Sequence, residues 1–290
     1  DAGAEAVWNH KLKYRGAAVR RFNNQAIVDA SGSFTITKVI EDVLFGYANL
    51  DQPNVDKGLL AYYMQEIKSP PRLAGRLTLV HETADPNTSG RLAWLYDPGQ
   101  RRINRAPKIG YDNPSLSTDG EQFNDQVDVF NGAQNRYEWE LVGLQEKYIP
   151  YNSYQISSPE YKYSDMIRKG HLNPELPRYE LHRVWVVKAT LRPGFTHQIA
   201  TRVFYIDEDS WSIAVVDGYN NQGAFWKFQE AHLATIPMVP ITTGAPEGIH
   251  DLITGRYFLT ALSNEEKLSD YDVKLKPGEF KPTALKRRIR

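Results

Sequence analysis

The stretch from Tyr179 to Gln229 constrains the fold more than any other part of the chain. From Tyr179 to Leu191 the odd positions Tyr179, Leu181, Trp185, Val187, Ala189 and Leu191 are apolar, and the even ones include Glu180, His182, Lys188 and Thr190. Side chains on a strand point alternately to opposite faces, so the pattern predicts one dry face and one mixed face. Arg192-Pro193-Gly194 supplies a turn, since Pro presets φ and Gly accepts a positive one. Further strands are expected over 197–206, 211–216 and 224–229, separated by Asp207-Glu208-Asp209-Ser210 and Asn220-Asn221-Gln222-Gly223. Loops this short allow only antiparallel neighbours, because a parallel return needs a crossover. The later strands are apolar on both sides: Ile199, Val203 and Tyr205 oppose Ala200, Phe204 and Ile206, and Phe225 opposes Trp226 and Phe228. A sheet wet on one side alternates more cleanly. Both faces are therefore expected to be covered, by helices, by a second sheet, or by a ligand in the hollow of a curved sheet.

The rest of the chain reads as more of the same. A short amphipathic helix is expected within 4–15, strands over 33–40, 137–148 and 255–262, a strand over 59–67 with helix as the alternative, and a second meander over 72–105, where Leu73, Leu77 and Leu79 alternate with Arg72, Arg76 and Thr78 and strands follow over 91–96 and 101–105. Loops are expected at 49–54, 84–90, 113–120 and 235–247, the last because it is rich in Pro, Gly and Thr. Helical turns are expected within 121–130, and a short helix opening at Ser158-Pro159. No Gly- and Ser-rich linker interrupts the chain. The expectation is one mainly β (α+β) domain over 1–290. It would be a large curved antiparallel sheet of about ten strands, a half-barrel with a few helices covering one side.

Lysine plus arginine and aspartate plus glutamate number 35 each, a balance that argues against a dedicated nucleic-acid binder. No apolar run approaches the roughly 18 residues of a membrane span, and no apolar N-terminal stretch is present. Asp1 is read as the start of a processed chain or fragment. The absence of cysteine excludes disulfides, thiolate catalysis and cysteine-held metals in these residues, and suits an oxidising compartment.

Several motifs together resemble a known family. They are Glu5-Ala6-Val7-Trp8-Asn9-His10, Tyr14-Arg15-Gly16, Pro71-Arg72-Leu73-Ala74-Gly75, Asp97-Pro98-Gly99-Gln100-Arg101-Arg102, Lys147-Tyr148-Ile149-Pro150-Tyr151-Asn152, Glu180 to Val187 and Arg202 to Trp211. Across essentially the whole chain they are similar to a proteobacterial family of unknown function whose members are often labelled outer membrane lipoprotein-sorting proteins. The resemblance implies a fold like the lipoprotein carriers LolA and LolB, a curved antiparallel sheet closed by helices around an apolar cavity. It implies a periplasmic location, with possible outer-membrane association. It also implies an exporter of the resistance-nodulation-division type, or an outer membrane partner, as neighbour. Family chains usually carry a signal peptide and more N-terminal sequence, so this chain is expected to lack that segment. The family offers no catalytic residues to carry over.

Candidate residues follow. Trp185, Val187, Phe204, Trp211, Phe225, Trp226 and Phe228 are candidates to line an apolar ligand pocket, the alternative being ordinary aromatic core. Arg183, Arg202, His182 and His197 are candidates for polar head-group contacts. Asp217 and Arg183 interrupt apolar strands, and either a buried pair or a cavity lining fits them. His182, His197 and Glu180 form a candidate acid–base group if the first hairpin brings them together, the alternative being a solvated strand face. His81-Glu82 starts a zinc-protease pattern that fails, because Asp85 stands where the second histidine belongs. No metal and no cofactor is expected. The arginines 76, 91, 101, 102 and 105 and the basic run 286–290 read as anionic contact surface or as solvated charge. The leading expectation is a non-catalytic carrier for a lipid, acyl chain or other hydrophobic molecule. An envelope adaptor is the second reading, and an enzyme built on His182, His197 and Glu180 the third.

Overall fold

The computed structural model describes residues 1–48, 58–84, 90–106 and 110–288. The loop expected at 49–54, most of the turn expected at 84–90 and the last two residues of the basic tail lie outside the described residues. Among the described residues there are fourteen strands: β1 (Ala18–Phe22), β2 (Asn24–Val28), β3 (Phe34–Phe45), β4 (Leu59–Ser69), β5 (Leu77–Thr83), β6 (Leu92–Asp97), β7 (Arg102–Arg105), β8 (Tyr137–Pro150), β9 (Tyr179–Leu191), β10 (Ile199–Asp207), β11 (Ile213–Asn220), β12 (Phe225–Ile236), β13 (Ile241–Asp251) and β14 (Tyr257–Leu262). The helices are α1 (Ala2–Leu12), α2 (Tyr163–Met166) and α3 (Pro282–Arg288). All the strands belong to one antiparallel sheet, open at β7 and β8, in the order β7-β6-β5-β4-β3-β2-β14-β13-β12-β11-β10-β9-β8, with β1 also paired to β3. The chain forms two compact units. The first is Asp1–Lys13, Ala26–Thr35 and Gly110–Glu265; the second is Tyr14–Gln25, Ile36–Ile109 and Glu266–Arg290.

The first unit contains the meander of β8 to β14. Four steps along the strand order separate β8 from β12, which is roughly 19 Å in a flat sheet at the usual strand spacing. Yet their Cα atoms come within 8 Å. The sheet of this unit therefore curls until β8 approaches β12, and the segment just after β8 is tied to β12: the Ser153 N–H donates to the Leu233 carbonyl at 3.0 Å, and the Tyr154 hydroxyl to that of Thr235 at 3.0 Å.

Helix α1 packs on β8, β9 and β10. Asp1 caps it, accepting from the Gly3 N–H at 3.2 Å. Gly3 is needed for the close approach, since a Cβ there would sit 3.2 Å from the backbone of Glu140 on β8. His10, fully buried, fixes the other end. Its Nδ1 accepts from the Ile213 N–H at 3.1 Å and its Nε2 donates to the Asp128 carbonyl at 2.9 Å.

In the second unit Leu44, Tyr62, Met64, Leu77 and Leu79 form a core that Leu275, Phe280 and Leu285 complete from the C-terminal segment. The tail is thus anchored rather than wholly solvated, and Arg288 pairs with buried Asp42 at 2.6 Å. Arg20 grips the same carboxylate through two bonds of 2.7 and 2.8 Å.

Strand β13 replaces the loop expected over 235–247. Ala231 pairs with Glu247 and Leu233 with Gly244, so Ala245-Pro246 falls where the register slips, and the missing Pro N–H breaks no ladder bond. β1 and β2 escape the sequence pattern because each is only five residues long, too short for a period-two alternation to stand out. The helix expected from Ser158 shrinks to α2, and that within 121–130 to a single 3-10 turn at Asn124–Gln126.

Candidate functional site

Strands β9 to β12 set the two faces of the first unit's sheet. Register places Val187, Phe204, Val216 and Gln229 in one row, and Ala189, Arg202, Gly218 and Lys227 in the next row of the same face. The other face carries the rows Val186, Tyr205, Val215, Glu230 and Lys188, Val203, Asp217, Phe228. The first face is buried throughout, beneath α1 and the segment from Glu121 to Tyr137. Phe130 packs edge-on against Phe204 with ring centres 5.1 Å apart.

That packed face also holds charge. Arg202 bonds both oxygens of Asp125, at 2.8 and 2.9 Å, and the Tyr137 hydroxyl at 2.5 Å. His197 Nδ1 accepts from the Ile199 N–H at 2.8 Å, which leaves Nε2–H to face Asp125 at 3.3 Å. Burial alone would raise the Asp125 pKa, but the charges of Arg202 and His197 and their hydrogen bonds drive it down to about 2. The His197 pKa is lowered, chiefly by burial and then by the neighbouring guanidinium. Lys227 is held in the same way, 2.9 Å from Glu121 and 3.2 Å from Asp251.

The second face differs. Val203, Tyr205, Val215, Asp217, Tyr219 and Phe228 are only half-buried, and Phe225 is 42% exposed. Tyr179, at the start of β9, reaches across to donate to Glu230 Oε2 at 3.0 Å, and the Lys147 ammonium stands 5.8 Å from the Tyr205 ring centre. Within this apolar wall the Tyr205 hydroxyl donates to Asp217 Oδ2 at 2.9 Å. Burial raises the Asp217 pKa, and neither this hydrogen bond nor the Lys147 charge brings it back. Tyr205 is pushed up to about 12 by burial, then by its bond to Asp217. Deeper in the curl, Glu230 stands 3.3 Å from Nε2 of fully buried His232. Its pKa is lowered despite burial, because His232, His250 and Tyr179 favour the carboxylate.

The residues named from sequence divide between these faces. Val187 and Phe204 are fully buried in the packed core. Trp185 and Trp211 stack on one another, 6.4 Å between centres and 3° between planes. Trp226 donates to Asp251 at 2.9 Å and packs on Phe123 of the covered side. Phe228 lies on the half-open face, and Phe225 stacks beside Tyr219 at 5.4 Å. Among the head-group candidates, Arg202 and His197 are sealed in the ionic network, and exposed Arg183 pairs with Glu208 at 2.7 Å. The open face owes more to Val203, Tyr205 and Val215, which the sequence marked only as alternating strand residues.

The proposed acid–base group does not assemble. His182 sits just beyond the Val184–Asp207 pair at one end of the β9–β10 ladder, and His197 beyond the other end. His182 instead joins Asp207 at 2.8 Å through Nδ1 and Glu180 at 3.3 Å through Nε2, under the ring of Tyr151. Burial opposes its charge, but the hydrogen bonds to the two carboxylates outweigh it and raise its pKa. His182, Asp207 and Asp209 bring possible metal-ligating atoms within 4.8 Å of one another. Both imidazole nitrogens are already committed to carboxylates, however, and Asp207 Oδ2 accepts from the Ser210 hydroxyl at 2.6 Å. The arrangement works as a clasp on the β10–β11 turn. Of the arginines in the second unit, Arg91 is buried against Glu82 at 2.6 Å, Arg76 reaches Asp97 at 3.4 Å, and Arg101, Arg102 and Arg105 are exposed.

A long antiparallel sheet with helices on it defines a class of known folds. The chain is similar to a chain from Vibrio parahaemolyticus described as an outer membrane lipoprotein-sorting protein domain, with a TM-score of 0.67, 13% identity and 99% of each chain covered. It is also similar to the LolA superfamily protein NE2245 from Nitrosomonas europaea, with a TM-score of 0.55, 12% identity, and 96% of this chain and 97% of that one covered. The chain belongs to the family described as protein of unknown function (DUF1329), whose model matches residues 1–286. A structure of a member of that family from Desulfovibrio piger gives a TM-score of 0.67 at 14% identity, with 98% of each chain covered. The uncharacterized protein PA3922 of Pseudomonas aeruginosa is 43% identical over 287 residues, which are 98% of this chain and 63% of that relative. No helix among the described residues is long and apolar enough to cross a membrane.

Proposed function

We propose that this chain is a non-catalytic binding or carrier protein for a hydrophobic molecule, acting in the periplasm. The observation that carries this reading is the half-open face of β10 to β12. An antiparallel sheet normally turns polar residues to its uncovered side. Here Val203, Tyr205, Val215, Tyr219 and Phe228 stand there half-exposed. A guest burying about 300 Å² of apolar surface against them would gain several kcal/mol before ordering costs. The likeness in fold to the lipoprotein-sorting and LolA-superfamily structures supports the same reading. An exporter or an outer membrane partner is the natural source or recipient of such cargo.

Two measurements test it. Native mass spectrometry of the purified protein is expected to show co-purifying lipid, and the fluorescent apolar probe N-phenylnaphthylamine is expected to bind and be displaced by lipid. Val215→Glu places a charge on the half-open wall and is expected to abolish probe binding with the fold intact. Absence of lipid together with absence of probe binding overturns the carrier reading.

A second reading, an envelope adaptor, is favoured by an exposed apolar pair on β8 and β9. There Tyr148 is 72% exposed and its strand partner Leu181 55% exposed. Co-purification with an envelope protein that Tyr148→Glu disrupts would favour it.

A further inference from the structure

Among the half-exposed Val203, Tyr205, Val215 and Phe228 the face carries one carboxylate, Asp217, and that group restricts the cargo. Asp217 sits in the middle of the wall, with Val203 on one neighbouring strand and Phe228 on the other. The Tyr205 hydroxyl holds one carboxylate oxygen at 2.9 Å. Burying a carboxylate among valines and aromatic rings is unfavourable unless its acceptor sites are used. No salt bridge to Asp217 exists among the described residues. Lys147, whose charge is felt at Asp217, stands over the Tyr205 ring instead.

Resting on the carrier reading above, we infer that Asp217 is a recognition residue, and that the cargo is an apolar molecule bearing a hydrogen-bond donor, a hydroxyl or an amide N–H. Tyr205 orients the carboxylate so that its second oxygen meets this donor. The charge of Asp217 turns away molecules whose polar end is itself a carboxylate or phosphate. Apolar burial would supply affinity, and Asp217 would supply register and selectivity, as few polar groups do in mostly apolar sites. A donor to a charged acceptor is worth enough to make about a tenfold difference in affinity.

The test uses the full chain and the same fluorescent probe, displaced by three long-chain competitors of equal length. These are hexadecanol, an N-hexadecyl amide and the hexadecyl methyl ether, with hexadecanoate as a fourth arm. The alcohol or the amide is expected to displace the probe at about tenfold lower concentration than the ether, and hexadecanoate is expected to be the weakest. Which of alcohol and amide leads distinguishes the two donor sources. In Asp217→Ala the donor preference is expected to vanish and hexadecanoate to improve. Tyr205→Phe is expected to keep the carboxylate but blur the preference, because its orientation is lost. If the wild type binds no probe, the carrier reading fails. If probe binding is normal but alcohol, amide and ether compete equally, or the preference survives in Asp217→Ala, this inference is overturned and carriage stands without it.

Discussion

Asp125, in the segment that covers one face of the β9–β12 sheet, and Asp217, on β11 and turned to the other face, have acidities that move in opposite directions. Asp125 is fully buried and has a pKa near 2; Asp217 is half-buried and raised. Depth alone predicts the reverse, because burial disfavours the charged form. Partners decide it. Asp125 receives a two-pronged guanidinium, whereas Asp217 receives one phenol. The covered face neutralises its charges internally and leaves nothing for a ligand. The half-open face keeps an acceptor incompletely matched.

The largest break in this comparison comes from Arg202. Arg202→Ala leaves Asp125 buried without its counter-charge, and breaking such pairs typically costs about 3–5 kcal/mol. Urea unfolding is expected to show a loss of that size at neutral pH. Acid sharpens it. A carboxylate whose pKa is depressed contributes stability above its unfolded value, and that stability is lost as pH falls through the folded value. The wild type is therefore expected to lose this contribution between about pH 4 and pH 2. The variant, already without the pair, is expected to show a flatter profile there.

Adjacent residues sharpen the contrast next. Phe204 and Val203 are neighbours in sequence on opposite faces. Phe204→Ala empties a filled core against Phe130 and Val187 and is expected to cost about 3–5 kcal/mol. Val203→Ala removes a half-exposed side chain and is expected to cost about 1 kcal/mol or less, while weakening probe binding. Equal costs would mean that the two faces are packed alike.

The two faces were unequally legible in the sequence. Strand β9 matches the alternating run from Tyr179 to Leu191 residue for residue, and the turns after it were marked by Pro, Gly, Asp and Asn. Period-two alternation says which residues share a face. It does not say which face is covered, because the cover comes from far along the chain. Asp125 and Phe130, which seal Arg202 and Phe204, lie in a segment whose polar composition read as loop and stray helical turns. Selecting bulky aromatics therefore gathered Val187 and Phe204 from one face and Phe228 from the other. The curl that brings Tyr179 to Glu230 is likewise a property of the whole sheet. Charge pairing was equally out of reach: Arg202 and Asp125 are 77 residues apart, and nothing in either neighbourhood announces the other.

The clasp on the β10–β11 turn gives a smaller effect of opposite sign. His182 has a raised pKa, so its contribution is complete below the unfolded value, about 6.5, and fades as pH rises through the folded value. His182→Asn is expected to lower the thermal midpoint slightly at pH 6 and less at pH 9. A loss that does not change with pH would remove the charge from the account and leave only packing against Tyr151.

The smallest expected change is the most informative about the open face. A carboxyl with a raised pKa binds its proton more tightly folded than unfolded, so stability falls as pH rises through the unfolded value toward the folded one. At neutral pH Asp217 therefore opposes folding. Asp217→Asn keeps the shape and an acceptor oxygen but removes the charge. It is expected to raise the thermal midpoint at pH 7 by about a degree or two, an advantage that disappears below pH 4. In the same variant, discrimination against hexadecanoate should weaken. A residue kept for packing has no reason to destabilise its own fold, whereas one kept for a ligand does, since sites that bind are where local rules are broken. A midpoint that drops in Asp217→Asn would place this aspartate with Asp125, among groups that hold the sheet together.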